Sequence, residues 1–327
     1  MVGNGAWNIK SGLARAAATA CTLLLAGSLG GCALTTPSRA EVQRETVDPT
    51  VSAPSIREDG TLTVAMDTTD APQAMNGSDG TATGYYADVA RALAQRMGLK
   101  LTIVSSASVS KALGGKADIF IGASASDGSD DATVLGSVSE DASAVFVKTG
   151  DSQSASGVTA AGMAGGIVAV QESSASQDAL VRAGIGAAQK TYSNVNECFE
   201  ALASGEVQYV ACDATAGAYL SRAYKGVTFA GIIGNVSSYG IAVSGGSDGE
   251  LATAVSDALD AVSQDGTLDA VHAAWYGSLP LSLSGAVLSG VIIDSPENDA
   301  PAANEASGDA SAENSTPITG DINSLGD

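Results

Sequence analysis

Seven short runs rich in β-branched and apolar residues recur along the chain, at Leu62 to Ala65, Leu101 to Val104, Ile119 to Gly122, Ala144 to Val147, Ile167 to Val170, Tyr209 to Cys212 and Ile241 to Val243. Each is too short for an amphipathic helix, and segments with helical apolar spacing lie between them. Strand patterns alternating with helix patterns predict an α/β fold. The clearest helix starts near Gly84, with Val89, Leu93 and Met97 on one side and Asp88, Arg91 and Gln95 on the other, and stops at Gly98. A second is predicted from about Gly249 to Gln264, with Leu251, Val255, Leu259 and Val262 inward and Gly266 just past its end. No repeat of solenoid length is present.

The two ends differ in kind from this body. Lys10 and Arg15 precede an apolar stretch from Ala16 to Leu29, which is short and rich in Ala, Gly and Thr and is followed by Gly30, Gly31 and Cys32. That order of charge, apolar stretch and small residues is a processing signal. Leu29-Gly30-Gly31-Cys32 resembles the lipobox of bacterial lipoproteins, which implies cleavage before Cys32 and lipidation of its thiol. Residues 1–31 are then a signal peptide and 32–55 a polar, disordered tether. From 293 to 327 the chain carries eight Asp or Glu and no Lys or Arg, the composition of a solvated acidic tail.

A formal net charge of −21 excludes nucleic acid and anionic lipid as partners of the body, since both need clustered Lys and Arg. Membrane contact therefore falls to the lipid. Cys198 and Cys212 remain after Cys21 leaves with the leader and Cys32 takes the lipid. An even pair in an exported domain suggests a disulfide, with two free buried thiols as the other reading.

Six segments, in order, resemble family 3 of the extracellular solute-binding proteins: Ile56 to Ala65, Gly84 to Leu101, Ala112 to Asp118, Leu202 to Gln208, Tyr239 to Val243, and Asp265-Gly266-Thr267-Leu268 running to Trp275-Tyr276-Gly277. The resemblance implies a two-lobed α/β type II periplasmic-binding-protein fold with two crossover hinge strands. Lobe 1 would comprise residues 56–146 and, on return, 240–292, with lobe 2 at 147–239. It also implies a monomeric receptor of an ABC importer. Such a receptor, lipid-anchored on the extracellular face of the cell membrane, captures a small polar solute between its lobes and docks on permease subunits.

In open α/β sheets, ligands meet the loops beyond the carboxyl ends of strands. Those loops bring forward Asp67 and Asp70 after the first strand, Ser124 and Ser126 after the third, Ser173 and Ser174 after the fifth, and Asp213 after the sixth. The resemblance implies hydroxyl and amide contacts at Ser124 and Ser126 and a carboxylate for a ligand ammonium at Asp213. It also implies an aromatic near Asp70, a Phe after Pro72 and an Arg at position 129. This chain has Asp70, Gln73 and Ser129 instead. Lacking the basic clamp that holds an α-carboxylate, the loops favour a cationic or neutral polar solute. Ser173 or Ser174, and Asp213, also have a plainer reading as helix caps.

Enzymatic motifs are weak. Gly245-Gly246-Ser247-Asp248-Gly249 fits a nucleophile elbow, but the only histidine, His272, lies in a predicted terminal helix, and Ser247 or Asp248 reads better as a cap. Ser108-Val109-Ser110-Lys111 lacks the companion motifs of penicillin-recognising enzymes. No metal site is expected around a lone histidine, and no cofactor is implied. The alternatives to a transport receptor are a sensory or interaction lipoprotein with a degenerate cleft, and a dehydratase-like enzyme on the same fold.

Overall fold

A computed structural model of the protein describes residues 47–149, 155–245 and 249–293. Cys32, the leader before it, Ser247, Asp248 and the acidic tail from 294 lie outside the described residues.

All seven expected runs form strands, and the chain separates into two compact units. The first holds residues up to Glu140 and Ser238–Gly277; the second holds Asp141–Ser237 and residues from Ser278 onward. In the first unit, β1 (Thr61–Met66), β4 (Lys100–Ser105), β5 (Ile119–Ser124), β6 (Ala132–Asp141) and β12 (Ser237–Ser244) form one sheet in the order β4-β1-β5-β12-β6. A two-residue ladder of β2 (Met75–Asn76) with β3 (Ala82–Thr83) precedes helix α1 (Tyr85–Arg96). Strand β1 is parallel to both β4 and β5, so the loops leaving β1 and β5 emerge at the same end. Short helix α2 (Val109–Leu113) starts at Ser108, whose hydroxyl accepts from the Lys111 amide. That cap is what the Ser108-to-Lys111 match amounts to.

Helices α7 (Glu250–Gln264) and α8 (Thr267–Tyr276) complete this unit. The four inward residues expected on α7 are buried, and the helix begins beyond Gly249, its N-cap residue. On α1 the core face is wider than its apolar spacing suggests, because Tyr85 and Tyr86 are buried too. The Tyr85 hydroxyl donates to the Val138 carbonyl at 2.5 Å, and the Tyr86 hydroxyl lies 3.0 Å from that of Ser139. Burying a ring is favourable when its polar end finds a partner. His272 is 5 % exposed and stacks edge-on between Tyr85 and Tyr276, so it is a core histidine. Burial pulls its imidazole below the usual range. Tyr276 is buried, and the Trp275 indole donates to Asp88 at 2.7 Å.

In the second unit, β7 (Ser143–Lys148), β8 (Ile167–Gln171), β9 (Ala188–Tyr192), β10 (Tyr209–Asp213) and β11 (Val227–Ile232) pair in the order β11-β7-β10-β8-β9. The one-turn helix α3 (Ala160–Met163) precedes β8, and α4 (Ala175–Arg182), α5 (Val195–Ser204) and α6 (Ala214–Ser221) follow β8, β9 and β10. Phe146 centres an aromatic cluster, 5.6 Å from Phe199 and 5.8 Å from Phe229. Helix α6 packs so closely on it that a Cβ at Gly217 would stand 2.2 Å from the Phe146 ring.

Three expectations about organisation need correction. Strand β7, expected to end lobe 1, belongs wholly to the second unit. The return segment was expected to stay with lobe 1 to residue 292, but from Ser278 the chain packs on the second unit, where Leu288 joins the core and Val287 bridges Ile232. The tether was expected to be disordered to residue 55, yet Val51 is buried and the Thr50 amide donates to the Met97 carbonyl. In the last two cases, isolated apolar residues in polar surroundings found a core. No described helix is long and apolar enough to cross a membrane.

Candidate functional site

In the first unit, the loop after β1 satisfies itself. Asp67 accepts from the Thr69 amide at 2.9 Å and the Thr69 hydroxyl at 2.7 Å, a local turn that holds the carboxylate over its own backbone. Asp70 is exposed on the next turn, its amide donating to the Asp67 carbonyl. Gln73 is buried and accepts from the Tyr276 hydroxyl, so the polar residue where the resemblance implies Phe is a core anchor.

The loop after β5 is similar. Ser124 donates to Asp127 through its amide and its hydroxyl, both at 2.8 Å, and its hydroxyl lies 2.7 Å from that of Ser126. Thus Ser124 and Ser126 are brought together, with a carboxylate already engaged. Ser129 is exposed and accepts from the Asp131 amide at 3.3 Å. The loop from Ser124 to Asp131 carries three aspartates and no basic residue.

In the second unit, β8 and β10 are parallel neighbours, which puts Glu172 to Ser174 and Asp213 at one end of the sheet. Ser174 is the N-cap of α4 and accepts from the Gln177 amide at 3.2 Å. The plainer reading is the one seen there. Ser173 has φ 57°, the left-handed region that a non-glycine residue seldom occupies, and its amide donates to the Gln177 side chain.

Asp213 corrects an expectation. It occupies the N-cap position of α6, but its side chain makes no capping bond. The cap comes from Asp141, which accepts from the Thr215 amide at 3.2 Å and the Thr215 hydroxyl at 2.5 Å, as well as from the Ala142 amide at 2.8 Å. Asp213 is exposed, with the Ser176 hydroxyl as a hydrogen-bond partner, and the Ser176 hydroxyl lies 3.0 Å from that of Ser143. Desolvation raises the Asp213 carboxyl above its ordinary range against that hydrogen bond. Asp141 is pushed up to about 6, first by burial and then by Asp213, against the Thr215 and Ala142 hydrogen bonds. Sequence reasoning missed Asp141. Its partners lie 74 residues along the chain, and an aspartate at the end of a strand gives no local signal of them.

Cys198 and Cys212 are free and buried, so the disulfide reading gives way to the thiol one. Burial raises both thiols and Asp213 raises Cys212 further, which keeps them protonated and unreactive. Among the described residues, no group of three or more His, Cys, Asp or Glu is placed to hold a metal ion.

A model of the family "Bacterial extracellular solute-binding proteins, family 3" matches residues 62–278. No curated protein sequence matches the chain. Among solved structures, an ancestral cationic amino acid solute-binding protein is 25 % identical with a TM-score of 0.54, over 66 % of this chain and 96 % of that one. Substrate-binding domain 2 of GlnP from Lactococcus lactis, in an open conformation, is 20 % identical with a TM-score of 0.58, over 68 % and 98 %. The L-cystine solute receptor of Neisseria gonorrhoeae, unliganded and open, is 21 % identical with a TM-score of 0.56, over 67 % and 93 %. The last two share the fold.

Proposed function

Because the chain belongs to family 3 of the bacterial extracellular solute-binding proteins, we propose that it is the receptor of an ABC importer, capturing a small amino-acid-like solute, cationic or neutral, and presenting it to permease subunits in the membrane. The observation that carries this reading is Asp213: a carboxylate at the end of β10, exposed and released from helix capping. An ionised carboxylate so placed attracts an ammonium or guanidinium group. The loop after β5 supports the same charge preference, since three aspartates and no arginine would repel a second anion. So does the likeness to an ancestral receptor described as binding cationic amino acids. The proposal assigns the solute's cationic group to Asp213 and its other polar groups to Asp67, Asp70, Ser124, Ser126, Ser173 and Ser174.

The receptor is monomeric, performs no chemistry on its solute and needs no cofactor. It is held at the outer face of the cell membrane through lipid on Cys32. Mass spectrometry of the mature protein checks that anchor, and an unmodified Cys32 would remove it.

Calorimetry with lysine, arginine, glutamine and glutamate tests the solute class. Binding is expected to weaken from basic to neutral to acidic amino acids. Tight binding of glutamate with none of arginine or lysine would overturn the charge assignment. A second reading, a sensory or interaction lipoprotein with a degenerate cleft, is favoured by Ser124 being engaged with Asp127 and Ser126 with Ser124. Silence toward all four amino acids would favour that reading.

A further inference from the structure

Asp141 sits where the chain passes from the first unit into the second, at the end of β6 and two residues before β7. The antiparallel register of β7 with β10 pairs Ser143 with Asp213, and the pairing continues one step further as the Ala214 amide donates to the Ala142 carbonyl at 2.9 Å. One step beyond that, the backbone partner is replaced by a side chain, since Asp141 takes the Thr215 amide and hydroxyl. The ladder therefore runs into the first turn of α6, and Asp141 closes it. A helix start needs acceptors for its free amides, and the residue best placed to supply one is its own N-cap aspartate. Here that residue, Asp213, is not used.

We propose that Asp141 is a positioning residue for solute capture: by capping α6 from the neighbouring strand it releases the Asp213 carboxylate toward the solute and holds a second carboxylate behind it. This rests on the receptor reading above and deepens it. The groups that face Asp141 and bear on its charge are Asp213 and Cys212 from β10 and the Thr215 hydroxyl from α6, with Glu140 preceding it in the chain. The Asp213 charge raises Asp141, and two carboxylates in one low-dielectric neighbourhood draw a cation more strongly than either alone. Because Asp141 is pushed up to about 6, the second charge is present at neutral pH and lost in mild acid.

The test uses the mature full-length chain, labelled at aspartate carboxyl carbons, with Asp141→Asn and Asp213→Asn to assign the resonances. Asparagine keeps an acceptor for the Thr215 and Ala142 amides and removes the charge, while its NH2 can donate to the Thr215 hydroxyl in place of the oxygen that accepted from it. In Asp213→Asn, the Asp141 midpoint is expected to fall by about half a pH unit or more, because the neighbouring charge is gone. Calorimetry with arginine as the probe is expected to show affinity falling by about tenfold from pH 7.5 to 5 in the native chain, with a flatter profile in Asp141→Asn. Asp141→Ala is expected to speed amide exchange at Thr215, and the asparagine variant carries the test if the alanine variant fails to fold. An unmoved Asp141 midpoint in Asp213→Asn overturns the inference, whatever binds. A shifted midpoint in a protein that binds no arginine, lysine or glutamine leaves the coupling standing and defeats the receptor reading instead.

Discussion

The two units use the same polar residue types at the carboxyl ends of their strands to opposite effect. In the first, Asp67 is folded over Thr69, Ser124 is engaged with Asp127 and Ser126 with Ser124, so these groups are satisfied within their own loops. In the second, Ser174 caps its helix as expected, but the other helix start is capped from a distant position and leaves Asp213 exposed. A polar group bonded within its own loop has little to offer a solute, because binding would trade one hydrogen bond for another. A carboxylate that is exposed yet partly desolvated by its neighbours has more to gain from a cation. Electrostatic selectivity should therefore reside in the second unit.

The largest expected effect is at Asp213. Asp213→Asn should weaken arginine binding by about 100-fold through the loss of one charge-assisted hydrogen bond, measured by calorimetry at pH 7.5. A loss under about threefold would move the burden to the first unit.

Next comes acid. The folded-state carboxyl of Asp141 lies near 6 against an ordinary 3.8, so its contribution favours folding in acid and is lost as pH rises through 6. Thermal denaturation should show the second unit gaining about 1 kcal/mol between pH 7.5 and 5, a gain absent in Asp141→Asn. Equal gains in both proteins would remove Asp141 as their source.

Smaller still, Ser174→Ala should cost about 1 kcal/mol of stability through the lost cap, read by denaturant titration. Ser124→Ala should lower arginine affinity by no more than about threefold, since its hydroxyl is already engaged. A tenfold loss there would erase the contrast between the units.

The same contrast runs through what could be read from the chain itself. Buried central strands such as β1, β5 and β8 announce themselves as compact β-branched runs. Strand β9, Ala188–Tyr192, is exposed over most of its length and carries Gln, Lys and Thr, so it offers no apolar signal. β6 is an edge strand interrupted by Gly136, and β11 has a register shift between Phe229 and Gly231. At the candidate site, the positions after the strands were legible because strand ends are legible. Their bonding was not, because a cap supplied across 74 residues and a glutamine anchored to Tyr276 depend on packing between distant segments.

The final stretch from Ser278, with Leu288 set in the core of the second unit, has a consequence for timing. The first unit is incomplete until Gly277 has been made, and the second until residues beyond it have followed. The first unit cannot complete its sheet before β12 exists, and the second lacks Leu288 until late, although domains ordinarily fold as they emerge. For a chain proposed to cross a membrane unfolded behind its leader, that interleaving works as a built-in delay, keeping the nascent polypeptide threadable until nearly its whole length exists.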